Sequence, residues 1–406
     1  MNQKILLINP ISLFPTYAMN QVRTINMIKS LVLYFDVTVL SIYTTENEYN
    51  ESEKALTTLG AVYIPVKSVK FSSLSFISRF YQVYERLIFF LLGIDKAYTI
   101  GKAYEKQIRN VVQANEYKFI ISNYWEISSF ILRQNISSVK ILDTHYAVEE
   151  NIEVFKENRY FGKSSYFKSR ELQKSLYLQE NIILSSDIVV SLSKKCFEIF
   201  SNKFPLLKHI LIPDGNDFGF YSNYPSKPEP NTILFYGSMG SQQNILAFNR
   251  FYNIIWPEVL KQVPDAHMII VGNNPPQSIK ELDDNKQIIV TGFVEDVRPL
   301  LSKAQLMILP MEIGSGFRGR VVEVMAMGIP VVGTHNALDS VEMETGVHGC
   351  ISDDNKVLIK YCIQLLNDQE FRLRNSKACR QLAKEKYSIE ATFGRFAEYL
   401  RDFKIN

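Results

Sequence analysis

Short apolar runs rich in β-branched residues recur along the chain, separated by longer stretches of helical pattern. In the first half they are Lys4–Asn9, Val37–Ile42, Ala61–Val66, Tyr117–Ser122, Lys140–Thr144, Ile188–Ser191 and His209–Ile212. These runs are apolar throughout rather than alternating. A strand of that kind must be buried on both faces, as in parallel sheets covered by crossover helices. Strands alternating with helices therefore predict βαβ units and an α/β fold. The pattern breaks at SNYPSKPEPN, which ends at Asn231, carries three prolines and no apolar run, and reads as a linker. A second series follows at Thr232–Tyr236, His267–Val271, Ile288–Thr291, Gln305–Leu309 and Pro330–Gly333.

The two series predict two Rossmann-like domains, 1–222 and 223–387, with parallel sheets facing a central cleft. A last helix, Ser388–Phe403, opens on a capping serine and packs back on the first domain. Open α/β sheets bind ligands beyond the carboxyl ends of their strands. A cleft between two such edges holds one substrate on each side.

Composition enters by exclusion. At about 150 residues per domain, 406 residues suit two or three domains. A net charge of +3 is too small to point to nucleic acid. The four cysteines, Cys196, Cys350, Cys362 and Cys379, form no C-x-x-C pair and read as reduced thiols of a cytosolic protein. MNQKILLINPIS reads as a first strand rather than a signal peptide. No uninterrupted apolar stretch reaches the roughly 18 residues of a membrane span, so the expected location is cytoplasmic. Phe71–Ile94, FSSLSFISRFYQVYERLIFFLLGI, is the most apolar segment but contains Arg79, Glu85 and Arg86. One reading makes it an interfacial helix at the inner face of the cell membrane, drawn by Lys67, Lys70, Lys102, Lys163, Lys168, Arg170 and Lys174. The other makes it a core helix on the N-terminal sheet.

The chemistry concentrates in Gln305–Val332, which reads strand, glycine loop, helix, strand. Gly314, Ser315 and Gly316 let backbone N–H groups approach a ligand closely. The following helix turns its positive end toward that ligand and favours phosphate. Arg318 and Arg320 lie at its first turn and can bond phosphate oxygens in pairs. Glu323, one turn later, can accept hydrogen bonds from two ribose hydroxyls. Together these residues describe a nucleoside diphosphate site. The same stretch spells G-x-G-x-x-G from Gly314 to Gly319, with Asp339 about 20 residues on, which is a dinucleotide fingerprint. That fingerprint belongs after the first strand of its domain, whereas this loop follows roughly the fourth, and Asp339 lies past the next strand.

ILFYGSMGSQQNILAFNRFYNIIWPEVLKQVPDAHMIIVG, IIVTGFVEDVRPLLSKAQLMILP and GSGFRGRVVEVMAMGIPVVGT stand in the order of the donor half of the retaining glycosyltransferases of family four. The chain resembles that family, which has the GT-B fold. KILLINP, ILDTHYAVEENIEVF, SSDIVVSLSKKC and HILIPDGNDFGFY carry the resemblance through the first half. It implies ribose binding by Glu323, neutralisation of the diphosphate leaving group by Arg318 and Arg320, and a donor loop that includes Phe317. It further implies that Gly292, Phe293 and Val294 hold the base, that Gly237–Asn244 borders the phosphates, and that His145 lines the reaction centre. The family's two-glutamate motif would place acids at 315 and 323, and Ser315 replaces the first, as in a subgroup with two basic residues in the loop. The family's Gly-Gly pair after the first strand is replaced by Phe14-Pro15-Thr16-Tyr17-Ala18-Met19, and its basic pair by Gln242, Gln243 and Asn244.

The expected activity is transfer of a sugar from a nucleoside-diphosphate sugar to a saccharide or lipid-linked acceptor, in cell-surface polysaccharide or glycolipid assembly. The resemblance implies retention of configuration, with no obvious nucleophile. No metal and no resident cofactor are expected. There is no D-x-D motif, and Asp283-Asp284 and Asp353-Asp354 read as turn or capping residues. His145 either positions the donor sugar or closes a strand end through a backbone bond, and Asp143 shares its strand face. Ser315 and the bulky first loop motivate a second reading, a nucleotide-sugar-binding protein with weak turnover. A GT-B epimerase is a third, though the chain has only five histidines for such chemistry.

Overall fold

The computed structural model describes residues 2–16, 19–67, 102–125, 128, 136–151, 165–313 and 317–404. Gly314, Ser315, Gly316 and the apolar segment 71–94 lie outside the described residues. The chain forms two compact units, Met1–Pro213 with Phe393–Asn406, and Asp214–Thr392.

The first unit is built on β1 (Lys4–Asn9), β2 (Asp36–Tyr43), β3 (Val62–Lys67), β4 (Phe119–Asn123), β5 (Val139–Asp143), β6 (Ile188–Ser191) and β7 (Lys208–Leu211). They form one seven-stranded sheet in the order β3-β2-β1-β4-β5-β6-β7. Every neighbouring pair is parallel. The central strand shows why an unbroken apolar run was needed. Ile5 and Leu7 pack with Met27, Ile28 and Leu31 of the helix Met19–Leu31, and with Phe393, Phe396 and Leu400 of the returning C-terminal segment. Leu6 and Ile8 point to the opposite face, against Tyr104 and Ile108 of the helix Lys102–Ala114. Side chains alternate across a strand, so both faces must be apolar when helices cover both. Each such burial contributes roughly 1.5–3 kcal/mol.

The second unit carries β8 (Thr232–Tyr236), β9 (His267–Val271), β10 (Ile288–Val290), β11 (Leu306–Leu309), β12 (Val331–Gly333) and β13 (Gly349–Ile351). Their order is β10-β9-β8-β11-β12-β13, again parallel. All of these except β13 stand out in the sequence as apolar runs. That strand is three residues long and starts at Gly349, which has φ +138 and sits where a Cβ would strike the Val331 backbone. An element so short carries no periodicity to read.

The stretch Ser222–Asn231 is not a free linker. Lys227 N–H donates to the Ser302 carbonyl at 3.1 Å and Glu229 N–H to the Lys303 carbonyl at 2.8 Å. Backbone pairing therefore pins it to the second unit. The helix Phe218–Ser222 also belongs there and packs on the helices Gly319–Ala326 and Gln369–Tyr387. Ser388 caps as expected, accepting from Ala391 N–H at 3.1 Å. A wide turn, Glu390–Gly394, follows before the final helix Arg395–Asp402 begins. All four cysteines are buried thiols. Among the described residues no helix is long and apolar enough to cross a membrane.

Candidate functional site

The strand order of the second unit reverses between β8 and β11, so the loops leaving their carboxyl ends open side by side. Gly237 ends β8. A Cβ there would fall on the Arg320 guanidinium, so only glycine lets that side chain lie against the backbone. Arg320 reaches over from the first turn of the helix Gly319–Ala326, and its Nη2 donates to Asn244 Oδ1 at 2.9 Å. Asn244 is itself tied down, its Nδ2 donating to the Ser238 carbonyl at 2.7 Å. The structure thus joins Gly237, Asn244 and Arg320 into one braced cluster. Asn244 stands among the residues that replace the family's basic pair, and it holds an arginine rather than adding a charge.

Arg318 differs in having no such brace. Its Nε and Nη2 are buried without a hydrogen-bond partner among the described residues. Burial, and then the Arg320 charge, lower its pKa to about 10, which leaves it protonated at neutral pH. Arg320 is also lowered by burial, with Tyr236 and Glu323 opposing. Two guanidiniums, one with its Nε and Nη2 unpaired among the described residues, meet at a helix N-terminus. A buried charge without a partner is unfavourable, and a diphosphate would satisfy it with paired, charge-assisted bonds.

Glu323 lies one turn further along the same helix. Tyr236 Oη donates to its Oε2 at 2.9 Å. Burial raises the Glu323 pKa, while hydrogen bonds from Tyr236 and Tyr221 and the Arg320 charge oppose the rise. Burial and the Glu323 charge in turn push both phenols upward, which keeps them as donors. Neither tyrosine was named from sequence. Tyr236 ends a strand and Tyr221 sits on a short helix, and no spacing links either to position 323.

The other donor-side residues lie further out. Phe317 packs tilted on Tyr387 at 5.7 Å between centroids. Gly292, Phe293 and Val294 follow β10, which lies two strands from β8 in the sheet order. Gly292 takes φ +68 with open space around a Cβ, and Phe293 is 78% exposed. Asp339 lies past β12 at the end of the helix His335–Leu338, away from the strand tip that a dinucleotide fingerprint requires. The aspartate pairs close local backbone. Asp283 and Asp284 accept from Asn285 N–H and Ile288 N–H at 3.0 and 2.9 Å, and Asp354 caps the helix Asn355–Asn367. Asp353 accepts from His335 N–H at 3.2 Å.

A second cluster lies at the carboxyl ends of β4 and β5 in the first unit. Tyr124 and His145 both adopt left-handed backbone conformations, φ 68 and φ 40. Non-glycine residues rarely do so, and such positions gather at functional sites. Their rings stack at 3.9 Å with 7° between planes. Tyr124 accepts from Asn20 Nδ2 at 2.7 Å. The His145 side chain is 7% exposed, and its Nε2 lies 3.5 Å from Asp143 Oδ2. The strand end is closed by Thr144, whose N–H and hydroxyl both reach the Val190 carbonyl. Asp143 has a closer partner in Arg23, which the sequence did not reveal. Of the loop that stands in place of Gly-Gly, Tyr17 and Ala18 lie outside the described residues; Phe14 packs against the core beside the buried Leu13.

Burial lowers the His145 pKa to about 4, with Asp143 opposing and Arg23 assisting. His145 is therefore neutral at physiological pH. Unfolded, it takes a proton below about 6.5, so the unfolded chain binds more protons between the two values. This contribution to stability is intact above 6.5 and is lost as pH falls toward 4, amounting to about 3 kcal/mol. In His145→Gln the decline in Tm across that window should be shallower than in wild type. Equal slopes would mean that His145 titrates normally.

Residues 230–368 match the family described as glycosyl transferases group 1. No curated protein matches the chain. Among solved structures the chain is similar to sucrose-phosphate synthase from Thermosynechococcus elongatus, at 16% identity and TM-score 0.69 over 98% of each chain. It is similar to Anabaena HepE in complex with UDP and glucose, at 16% identity and TM-score 0.65 over 99% of this chain and 100% of that one. It is also similar to an S. aureus TarM variant in complex with fondaparinux, α-GlcNAc-glycerol and UDP, at 12% identity and TM-score 0.63 over 99% and 100%. Identities this low establish fold alone, and the fold is GT-B, two Rossmann-like α/β units. With the group 1 domain in the second unit, the chain is a glycosyltransferase.

Proposed function

We propose that the enzyme moves a sugar from a nucleoside-diphosphate sugar to a saccharide or lipid-linked acceptor, with retention of configuration and without a metal. The observation that carries this reading is Arg318, a buried guanidinium with no acceptor among the described residues, next to Arg320 at a helix start. Cleaving a sugar–phosphate bond leaves charge on the diphosphate, and fixed charges aimed at it lower the barrier most. Two guanidiniums and the helix N-terminus supply what a divalent cation supplies elsewhere. Glu323, with one oxygen occupied by Tyr236, accepts from the ribose hydroxyls. Structures of HepE with UDP-glucose and of TarM with UDP and a GlcNAc-glycerol support this donor class and a saccharide acceptor. The resemblance to retaining enzymes supports retention, and it also supports a role in cell-surface polysaccharide or glycolipid assembly. His145, neutral and stacked on Tyr124, positions the donor sugar and does not act as a strong base.

The test is a thermal-shift screen with UDP, GDP, ADP and TDP, each with EDTA and with Mg²⁺, beside Arg318→Ala/Arg320→Ala. A millimolar ligand that binds the folded state raises Tm by mass action. One nucleotide should shift wild type equally in EDTA and Mg²⁺ and leave the double variant unmoved, and turnover should survive chelation. A shift seen only with Mg²⁺ would overturn metal independence. NAD is included as a control, and a shift with NAD alone would overturn the donor assignment.

A further inference from the structure

The Arg23–Asp143 pair is the most deeply buried ion pair among the described residues, with side chains 1% and 0% exposed. The contact is two-pronged, with Nε to Oδ2 at 3.0 Å and Nη2 to Oδ1 at 2.7 Å. Nη1 donates to the Ile212 carbonyl at 3.0 Å, and the Phe393 ring lies 5.3 Å beneath the guanidinium. Burying two charges this completely contributes little net stability, and apolar replacements of such pairs are often as stable or more so. The pair therefore calls for a role other than stability. One stands beside it: Asp143 Oδ2 is 3.5 Å from Nε2 of His145.

We infer that Arg23 is a positioning residue for sugar transfer, holding the Asp143 carboxylate against His145 and so setting which ring nitrogen of His145 carries the proton. The inference rests on the reading that places His145 at the reaction centre. Nε2 makes no hydrogen bond among the described residues at this 3.5 Å separation, so the preference is electrostatic: the nearby carboxylate attracts an N–H at Nε2 and repels a lone pair, which favours the proton on Nε2. Nδ1 then keeps its lone pair and can accept a hydrogen bond from a hydroxyl. Stacking on Tyr124 at 3.9 Å holds the plane of the ring. Three groups face the imidazole from three elements: Asp143 from β5, Arg23 from the helix Met19–Leu31, and Tyr124 from the end of β4. Arg23 is essential to this arrangement because a carboxyl so buried would otherwise take up a proton. Burial pushes Asp143 upward, and the Arg23 charge leads the effects that hold it below its ordinary value. Arg23 and Asp143 stand 120 positions apart in sequence, and the fold alone brings them together.

The experiment replaces the charges with a neutral pair, Arg23→Gln/Asp143→Asn, which avoids stranding one buried charge. Arg23→Lys serves as the conservative variant. Folding is checked by Tm and circular dichroism. Ring ¹⁵N spectra of histidine-labelled protein at neutral pH report the tautomer, and His145→Gln assigns its signals among the five histidines. Wild type should show neutral His145 with the proton on Nε2. The neutral pair should show mixed tautomers, with kcat down about tenfold or more and donor KM within about twofold. Arg23→Lys should keep the wild-type tautomer and recover most of kcat. A wild-type proton on Nδ1, or an unchanged spectrum in the folded neutral pair, overturns the inference. A changed spectrum with unchanged kcat overturns instead the reading that puts His145 at the reaction centre.

Discussion

Arg318→Ala is expected to lower kcat by roughly 10²–10³-fold, while the free protein melts no earlier than wild type. The two halves of this result come from one observation. The Arg318 guanidinium is buried, lacks an acceptor among the described residues and sits beside the like charge of Arg320. In the free enzyme this arrangement is unfavourable twice over, by desolvation and by repulsion. Removing it relieves both, so stability should hold or rise. On the proposed mechanism the same charge meets the departing diphosphate in the reacting complex, and its loss is felt in the barrier. Function maintained against stability is a common pattern at active sites. Arg320→Ala should behave differently, because it breaks the bond to Asn244 Oδ1 and opens space beside Gly237. That variant should lose both activity and some stability. The measurements are steady-state kinetics at saturating donor and melting curves without ligand. A drop in Tm of several degrees for Arg318→Ala would show that Arg318 has a structural partner and would remove the argument.

Glu323→Ala should weaken donor binding by about 100-fold and also destabilise the free enzyme. The carboxylate is proposed to hold two ribose hydroxyls, and charged hydrogen bonds contribute about 1.5–3 kcal/mol each. A 100-fold loss corresponds to about 2.8 kcal/mol. The stability effect has a separate origin: the variant leaves Tyr236 and Tyr221 as buried donors without their acceptor. An unsatisfied buried donor costs about 1–3 kcal/mol. Glu323→Gln keeps a carbonyl for Tyr236 but loses the charge, so it should retain stability and lose roughly tenfold in affinity. A 2′-deoxy nucleoside diphosphate separates the two effects. Wild type should bind it more weakly than the ribose form, whereas Glu323→Ala should not distinguish them. If the variant still discriminates, Glu323 does not read the ribose.

How much of this was legible beforehand depends on distance along the chain. KILLIN and TILFY announced themselves as buried strands because both their faces are apolar, a property visible in consecutive letters. Arg318, Arg320 and Glu323 were legible for a similar reason. They share one helix end, and the helix period places them on adjoining turns. The exact partition of the chain was less legible. Prolines in Ser222–Asn231 suggested a free linker, but prolines also suit an extended segment pinned by backbone bonds, and composition does not separate the two. β13 was invisible, since three residues of GCI carry no pattern.

The order of residues alone set the class of fold and the helix end that carries Arg318, Arg320 and Glu323, because periodicity, turn chemistry and helix spacing are local and act over a few residues. The folded chain was needed for everything that depends on side chains meeting across it. Tyr236 finds Glu323 over 87 positions, Asn244 braces Arg320 over 76, and Arg23 reaches Asp143 over 120. Parallel sheets bring the ends of distant strands to one edge, so each of these partners is chosen by strand order, which no stretch of sequence spells out. The same holds for the state of His145. A histidine letter carries an ordinary pKa, and it is burial beside Asp143 and Arg23 that makes this one neutral.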